Sequence, residues 1–369
     1  MKILHNYILN EFFVNLFICL LILTLVMLLG NMVQLANLII NKGVGFWTVT
    51  KLFLYLIPYL LTYTIPIAAL MGIFLTLGRW SADNEIIAIR SSGINIFGLV
   101  LPLIILGLIL SLLLVILNDR IIPQVRYASR KALVDIGIKN PAAALEAGTF
   151  INSFQNYILF IYNIEGNKLS HVRIYEPINK QEGRTTARTI VAKHGEFICY
   201  PEKNIVKLKL MDGMSDEPDL KNPNNFYKLN FKTYFLTLSL NQELEGKNIP
   251  NKKPKDMTIR ELESQIQKLK NSGINPAPLV TEIHKKISLA FSCFVFILIG
   301  CPLSLITHRR EKTINFGLSL LVVMVYYLLL LGSEALSLQL YLPPHLAMWL
   351  PNILLGLPGV LFTYKLCVS

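Results

Sequence analysis

Charged residues are scarce in this sequence, and they are unevenly distributed. Only 16% of its 369 residues are charged, whereas soluble proteins average about 25%. Of the 58 charged residues, 44 lie between positions 119 and 286, and the other 201 residues hold 14. This distribution excludes a soluble single domain, a disordered chain and an ordinary nucleic-acid binder. It predicts a membrane protein with one large polar insert.

Sequence motifs for catalysis are also missing. There is no G-x-x-x-x-G-K-[ST] phosphate-binding loop, and the nearest fragment, Gly246-Lys247-Asn248, lacks the preceding glycine and the hydroxyl. The sequence has no H-E-x-x-H, no G-x-S-x-G and no cluster of cysteine and histidine. We therefore predict no catalytic residue, no metal site and no cofactor in this chain, and we expect transport or structure rather than catalysis.

Six apolar runs are long enough to cross a membrane. Crossing about 30 Å of hydrocarbon takes roughly 20 helical residues. The first run is too long for the apolar core of a signal peptide and is followed by no cleavage pattern, so we interpret it as a retained helix. Three runs precede the insert and three follow it. The predicted spans are Glu11–Ile40, Leu52–Leu77, Ile94–Leu117, Ile287–Ile306, Ile314–Leu336 and Leu346–Leu366.

The lysines and arginines of the short loops predict the orientation of these spans. With the N-terminus inside, seven of them are cytoplasmic and two, Lys42 and Lys51, are outside. Both termini are therefore predicted in the cytoplasm and the insert in the periplasm of a bacterial cell. The seven cytoplasmic residues are Lys2, Arg79, Arg90, Arg309, Arg310, Lys312 and Lys365.

The insert is predicted to be a β domain framed by two helices. Runs of β-branched and aromatic residues flank turn signals at Gly166-Asn167 and at 201–204, which indicates hairpins. We expect roughly six to eight strands in a small sandwich or half-closed roll. The framing helices are predicted at Val125–Gly137 and at Thr258–Asn271, the second of which opens with a capping-box spacing.

The predicted cytoplasmic loop between the second and third spans has the signals of a short helix. Ser81 is a suitable N-cap, Asp83 and Glu85 suit the positive first turns, and Gly93 is a C-cap signal. A carboxylate on a short intracellular helix is what an ABC permease offers to its ATPase. The alternative is an interfacial helix that only reverses the chain.

Three segments carry a resemblance to a known family, the LptF/LptG permeases of lipopolysaccharide export. Together with the pattern of three spans, β insert and three spans, the resemblance covers the whole chain. The short first outer loop and the Met348-Trp-Leu-Pro-Asn ending favour LptF over LptG. The matching segments are Gly78-Arg-Trp-Ser-Ala-Asp-Asn-Glu-Ile-Ile-Ala-Ile-Arg-Ser-Ser-Gly93, Glu282-Ile-His-Lys-Lys-Ile-Ser-Leu-Ala-Phe with Ile299-Gly-Cys-Pro-Leu-Ser304, and Phe316-Gly-Leu-Ser-Leu with Tyr326-Tyr-Leu-Leu-Leu and Leu342-Pro-Pro-His-Leu-Ala-Met-Trp-Leu-Pro-Asn352.

The resemblance implies a half-transporter in the bacterial inner membrane. Such a permease pairs with a second LptF/LptG-type permease above an LptB-like ATPase homodimer, which uses the ATP. Lipopolysaccharide would enter from the membrane and pass through a β-jellyroll-like domain towards LptC-like and LptA-like periplasmic proteins.

Applied to this chain, the resemblance implies three parts. Residues 1–118 would form the first three spans, with a cytoplasmic coupling helix at 79–93. Residues 119–286 would form the periplasmic domain, with the jellyroll at about 145–245, and residues 287–369 the last three spans. The coupling residues would be Ser81, Asp83, Glu85, Arg90 and Gly93.

Two groups of polar residues are candidates for contact with the lipid. Asn31, Gln34, Asn37 and Asn41 share one face of the first span, with Lys42 at its rim, and could line an entry gate. Hydrogen bonding between helices is the alternative for that face. The second group suits the phosphates of a lipid head group or, alternatively, anchors the chain to ordinary lipids. It comprises Arg120, Arg126, Arg130, Lys131, Lys285 and Lys286.

Two other function classes stay open from the residues alone. An ion-coupled secondary transporter would use Glu334, the acid of the fifth span, as its proton carrier. A membrane-anchored periplasmic binding or scaffold protein would use the β domain to hold a partner. Co-purification of an ATPase separates both from the exporter.

Overall fold

The computed structural model divides into two compact units. One contains residues 1–31, 54–127 and 252–369, and the other contains residues 32–53 and 128–251. The residues described are 2–40, 44–139, 148–154, 157–165, 168–176, 188–200, 205–218, 226–238, 252–306 and 312–368.

Six helices of the described chain have the length and composition to cross a membrane, which confirms the arrangement of three spans before the insert and three after it. The α-helices of the described chain are α1 Lys2–Ile40, α2 Phe46–Ala82, α3 Glu85–Ser91, α4 Ile96–Ile116, α5 Ile122–Lys139, α6 Ile259–Asn271, α7 Ala277–Ile306, α8 Lys312–Leu338 and α9 Pro344–Val368. The six of membrane length are α1, α2, α4 with its continuation, α7, α8 and α9.

Two of these helices form the centre of the first unit. In the most hydrophobic stretch of α2 and in that of α7, 78% of the residues are buried, whereas 17% are buried in the corresponding stretch of α1. Phe74 of α2 and Phe296 of α7 pack with Tyr326 of α8 in one apolar cluster, and the rings of Phe296 and Tyr326 lie 4.9 Å apart. The N-terminal part of α1 is packed in the core through Ile8, Phe12 and Leu16, whereas most of its apolar side chains after Cys19 are exposed.

Buried polar side chains join the spans of the first unit. Asn15 donates to the Thr76 hydroxyl at 2.9 Å, and Asn352 donates to the Ser288 carbonyl at 2.9 Å. Hydrogen bonds of this kind replace water inside a membrane and fix helix pairs.

The helices that frame the insert differ from the prediction in one respect. The predicted helix at 125–137 is α5, but it begins at Ile122 and continues α4 without a break through a π-helical segment, Leu117–Ile121. The capping box of α6 is confirmed, since Thr258 and Glu261 bond each other's backbone N–H. Burial raises the pKa of Glu261, but hydrogen bonds from Lys252 and from the Thr258 backbone outweigh it and lower that pKa overall.

The described strands of the insert form one antiparallel sheet in sequential order, β1 to β6. Both predicted hairpins are confirmed, with Glu165 opposite Lys168 and Tyr200 opposite Ile205. The turn residues 166–167 and 201–204 lie outside the described residues. The strands are β1 Phe150–Phe154, β2 Tyr157–Glu165, β3 Lys168–Glu176, β4 Arg188–Tyr200, β5 Ile205–Pro218 and β6 Phe226–Leu238.

A line of irregular residues crosses five strands of this sheet. Neighbouring strands keep the same register on both sides of the line, and His171 and Asp212 on the line have left-handed backbone angles, with φ of 53° and 52°. Along β3, the alternation of buried and exposed residues shifts by one residue at His171. Leu169 is buried before it, and Val172 and Ile174 are buried after it. Irregular residues that interrupt the alternation of a strand generally bend it, so we refer to this row as the bend line. Its members are Tyr162, His171, Lys193, Asp212 and Lys232.

The bend line keeps one face of the sheet apolar along its whole length. Without the shift, strict alternation would turn the second half of each strand's apolar side chains to the opposite face. The buried residues of that face come from β1 to β6 and form one cluster. They are Ile151, Leu159, Ile161, Leu169, Val172, Ile174, Ile190, Ala192, Phe197, Leu208, Leu210 and Leu236.

Candidate functional site

The segment predicted to couple to an ATPase contains a short helix, but it begins later than predicted. Helix α2 continues to Ala82, and α3 runs from Glu85 to Ser91 with Asn84 as its N-cap. The prediction of Ser81 as N-cap is therefore wrong. Ser81 is buried in the last turn of α2, where its hydroxyl donates to the carbonyl of Leu305 at 3.4 Å.

The burial of Trp80 explains this difference. The apolar run of the second span ends at Leu77, but the Trp80 side chain is fully buried. Because an indole ring contributes a large apolar area, the helix gains more by continuing to bury it than by ending at a local capping signal. Asp83 therefore lies in the turn between the two helices instead of in the first turn of α3.

The predicted end of the coupling segment is confirmed. Gly93 has a φ of 77°, a left-handed angle that glycine adopts without strain. Its N–H donates to the Arg90 carbonyl at 2.9 Å, and the N–H of Ile94 reaches back to Ile89 at 3.3 Å. Arg90 itself is exposed on the last turn.

One side of α3 is buried against the membrane helices, and the other side is exposed. Ile86 is buried in the core of the first unit, and Ile89 packs against the same cluster. Ile87 is 54% exposed, and the Glu85 side chain is 35% exposed. One face of α3 is thus attached to the spans, and the other offers a carboxylate and an isoleucine to a partner.

An arginine that the sequence analysis counted only as a loop charge organises this region. Arg79 lies in the last turn of α2, and its Nε lies 2.5 Å from Glu11 Oε1 of α1. The same guanidinium reaches Glu85 at 2.9 Å and Asp83 at 3.2 Å. Trp80 also donates to Glu11, at 2.7 Å. One charge cluster therefore joins α1, α2 and α3.

The polar face of the first span is only partly described. Asn31 is half-buried and donates to the Met27 carbonyl of its own helix at 2.9 Å, while Gln34 and Asn37 are exposed. Lys42 and its neighbour Asn41 lie outside the described residues. A lining role for this face stays a prediction.

The basic candidates near the outer ends of the spans have different surroundings. Arg126 lies over the Tyr59 ring, 4.8 Å from its centroid, and 3.7 Å from the Asp256 carboxylate. Arg120 is exposed, and Arg130 is half-buried on α5. Lys286 is buried and donates to the Met257 carbonyl. Of these four, Arg120 is the one whose side chain is most accessible to a lipid head group.

Lys285 has a partner that the sequence analysis had left open. Its ammonium lies 2.6 Å from both carboxylate oxygens of Glu334, and the two side chains are 18% and 22% exposed. Glu334 therefore holds a lysine on the neighbouring helix. Glu334 is thus a paired carboxylate, and the pair occupies one of the predicted phosphate ligands.

Glu334→Gln is expected to destabilise the protein, because it leaves the Lys285 charge partly buried without its partner. Breaking a buried pair costs about 3–5 kcal/mol, and the remaining exposure lowers our expectation to about 1–3 kcal/mol. The double variant Lys285→Met with Glu334→Gln should recover most of the loss. Thermal unfolding of the detergent-solubilised protein measures the stability of the double variant and of the single variants Glu334→Gln and Lys285→Met. A loss in the double variant equal to the sum of the two single losses would contradict the pairing.

No group of three or more histidine, cysteine, aspartate or glutamate residues that could hold a metal ion lies within the part of the chain that the structure describes. The described charged groups of the candidate site are the Glu85 carboxylate of α3, the Arg79 guanidinium shared by three helices and the partly buried Lys285–Glu334 pair.

Comparisons with known proteins match nearly the whole chain. Residues 6–365 match the family model of the lipopolysaccharide export system permease LptF/LptG. The LptF protein of Escherichia coli K12 is 20% identical over 354 residues, which cover 95% of this chain and 92% of that protein. LptF of Shigella flexneri matches equally. An uncharacterized protein of Rickettsia prowazekii is 22% identical over 275 residues, 74% of each chain.

Proposed function

Because this chain belongs to the lipopolysaccharide export permease family LptF/LptG, we propose that it is the permease half of an ABC transporter whose ATP is used by a separate ATPase. Membership makes it a transport subunit with several membrane spans, in agreement with its six membrane-length helices. The observation that supports a separate, bound ATPase is the short helix α3. It stands between two of those helices and presents Glu85 outward.

Helix α3 has the properties that a docking element needs. It is seven residues long, Ile86 fixes it to the core, and Arg79 ties its first residue to α2. A movement of α3 would therefore be transmitted directly to the membrane helices and would not be taken up by a flexible loop. In our proposal, an LptB-like ATPase homodimer binds this helix through Glu85 and Arg90, with Asp83 in the turn before it.

The remaining parts of the proposal concern the lipid and its route. A second LptF/LptG-type permease would complete the membrane cavity, and lipopolysaccharide would pass from the inner membrane to the β domain. LptC-like and LptA-like periplasmic proteins would receive it. The apolar face of the sheet supports this route, since its buried cluster runs through all six described strands and would suit acyl chains.

The orientation belongs to the same proposal. Seven loop lysines and arginines against two support cytoplasmic termini and a periplasmic domain at 119–286, between spans at 1–118 and 287–369. On that orientation α3 faces the cytoplasm, where ATP is available. The preference for LptF over LptG stays a prediction from the Met348–Asn352 segment.

Purification of the tagged full-length chain from its native membrane tests the proposal. We expect an ATPase to co-purify and the complex to hydrolyse ATP, because the sequence contains no phosphate-binding loop of its own. The chain purified alone should show no hydrolysis above background. A catalytically inactive variant of the ATPase should abolish hydrolysis by the complex. Robust hydrolysis by the chain alone would contradict the assignment, and so would a wild-type preparation that retains no ATPase.

A further inference from the structure

The last turn of α2 lies against three other spans. We call residues Gly78–Ser81 the junction segment. Gly78 faces Asn315 of α8 so closely that a Cβ at Gly78 would lie 2.3 Å from the Asn315 amide nitrogen. Ser81 donates to the carbonyl of Leu305 near the end of α7. The junction segment is thus the point at which α3 is attached to the bundle.

Within the junction segment, Arg79 makes the contacts with α1. Two of its nitrogens bond the two oxygens of Glu11, at 2.5 and 2.8 Å. The Nη1 atom donates to Glu85 at 2.9 Å, and Nη2 also reaches the Tyr7 hydroxyl at 3.2 Å. A bidentate guanidinium–carboxylate pair fixes orientation as well as distance, which a lysine could not do. Arg79 therefore links the first residue of α3 rigidly to α1.

The contact between α1 and α2 continues from Arg79 towards the middle of the membrane. Asn15 donates to Thr76 one helical turn further along, at 2.9 Å. One turn further along α2, a Cβ at Gly72 would lie 3.3 Å from the backbone nitrogen of Leu16, the residue after Asn15. A displacement of Arg79 would therefore move this part of α1 as one body with α2.

The burial of α1 gives this link its importance. The most hydrophobic stretch of α1 is the least buried among the six membrane-length helices. Around Glu11, however, Ile8, Phe12 and Leu16 are buried in the main apolar cluster of the first unit, so the bundle holds α1 at this end. The Glu11–Arg79 pair is partly buried, with side-chain exposures of 19% and 30%. Such a pair is screened less by salt than an exposed one, so it adds a directional link to α3 at the end of α1 that is packed into the bundle.

We propose that Glu11 and Arg79 are positioning residues that transmit the movement of α3 to the first membrane helix, and that they couple ATP hydrolysis to lipid movement without taking part in docking. This inference rests on the proposed function, because it assumes an ATPase bound to α3. Glu85 faces the partner, Arg79 holds Glu85 from behind, and Glu11 anchors Arg79 to α1. Loss of the Glu11 charge therefore removes the charged link between α3 and α1 while Glu85 and the docking surface stay intact.

The test is the number of lipid molecules released per ATP hydrolysed, measured with the complete complex in proteoliposomes that contain lipopolysaccharide. Glu11→Gln keeps the side-chain size and one acceptor for Trp80 but removes the charge. We expect the wild-type yield of complex, the wild-type rate of hydrolysis and a ratio lowered roughly 5- to 150-fold, the range of coupling free energies between sites. Glu11→Asp retains the charge on a shorter side chain and should give an intermediate ratio.

Glu263→Gln is the matched control, because it neutralises an exposed carboxylate on α6. It should leave yield, hydrolysis and ratio unchanged. An unchanged ratio in Glu11→Gln would overturn the inference. So would a parallel loss of complex yield and hydrolysis, since that result would make Glu11 a docking or folding residue. If Glu11→Gln does not fold, a wild-type ratio in Glu11→Asp would overturn it instead. A wild-type chain that retains no ATPase would overturn the proposed function and this inference together.

Discussion

Glu85→Lys is expected to release the ATPase from the complex while the six membrane helices stay folded. The carboxylate is 35% exposed on the free chain, at the first position of α3. Removal of one partner from a desolvated interface pair costs roughly 2–5 kcal/mol. That cost corresponds to a loss of affinity of roughly 30- to several-thousand-fold. The introduced lysine adds repulsion against any basic groove that receives Glu85, and it also faces Arg79.

The smaller variant Glu85→Ala distinguishes docking from the alternative of a helix that only reverses the chain. A solvated carboxylate in the first turn of a helix contributes only about 0.3–1 kcal/mol through the helix dipole. The exposed part of its pair with Arg79 adds a similarly small amount, about 0.2–1 kcal/mol. Under that alternative, Glu85→Ala should be nearly silent in lipid export and in complex yield.

The measurement for both variants is the amount of ATPase retained per permease after purification, together with lipid export. Glu263→Lys serves as the control for a charge reversal at an exposed position outside α3. We expect Glu85→Lys to lose nearly all of the ATPase and Glu85→Ala to lose a large part. Normal yield and normal export in both would remove the docking role of α3.

The sequence was sufficient for the architecture because the relevant signals are local and strong. Six apolar runs of membrane length predicted the six helices, and turn residues between β-rich runs predicted both hairpins. The capping box at Thr258 and the left-handed Gly93 were also predicted correctly, since each depends on residues within four positions.

The predictions that failed depend on packing between distant segments. Ser81 has the composition of an N-cap, but burial of Trp80 extends α2 past it. The continuous helix through the π segment Leu117–Ile121 has no sequence signal of its own that separates it from a break. At Ser81 a tertiary contact outweighed a local capping preference of about 1 kcal/mol.

The charge pairs of the candidate site could not have been predicted from one sequence. Glu11 and Arg79 are 68 residues apart, and Lys285 and Glu334 are 49 residues apart. A charge in a membrane span does signal that a partner exists, because an unpaired charge there is expensive. That signal was present at Glu11, the only acid of the first predicted span, but it does not say which arginine is the partner.

The bend line of the β domain leads to the second large effect, which we expect from Gly213→Ala. Gly213 follows Asp212 on β5, and a Cβ there would lie 2.5 Å from the Val191 carbonyl oxygen and 2.5 Å from the Phe231 ring. The ring could rotate, but the carbonyl belongs to the backbone of β4. Strands β4 and β5 would have to separate at the line where the sheet bends.

We expect this variant to lose at least about 1–3 kcal/mol of β-domain stability, the usual cost of overpacking, and more where backbone has to move. Gly195→Ala is the matched control on the same sheet. Its Cβ would meet only side chains, with the nearest atom, a Val172 methyl, at 3.3 Å. Limited proteolysis of the full-length protein should cut the β domain faster in Gly213→Ala than in Gly195→Ala.

Glu85 and Gly213 belong to different compact units of the chain. The two variants are therefore expected to act on different steps of the proposed route. Gly213→Ala should keep the ATPase bound and hydrolysing while lipid export falls, because the apolar face on both sides of the bend line would no longer be continuous. Equal proteolysis of the two glycine variants would contradict the expected loss of β-domain stability. Unimpaired export by Gly213→Ala would show that the packing at Gly213 is not needed to carry the lipid.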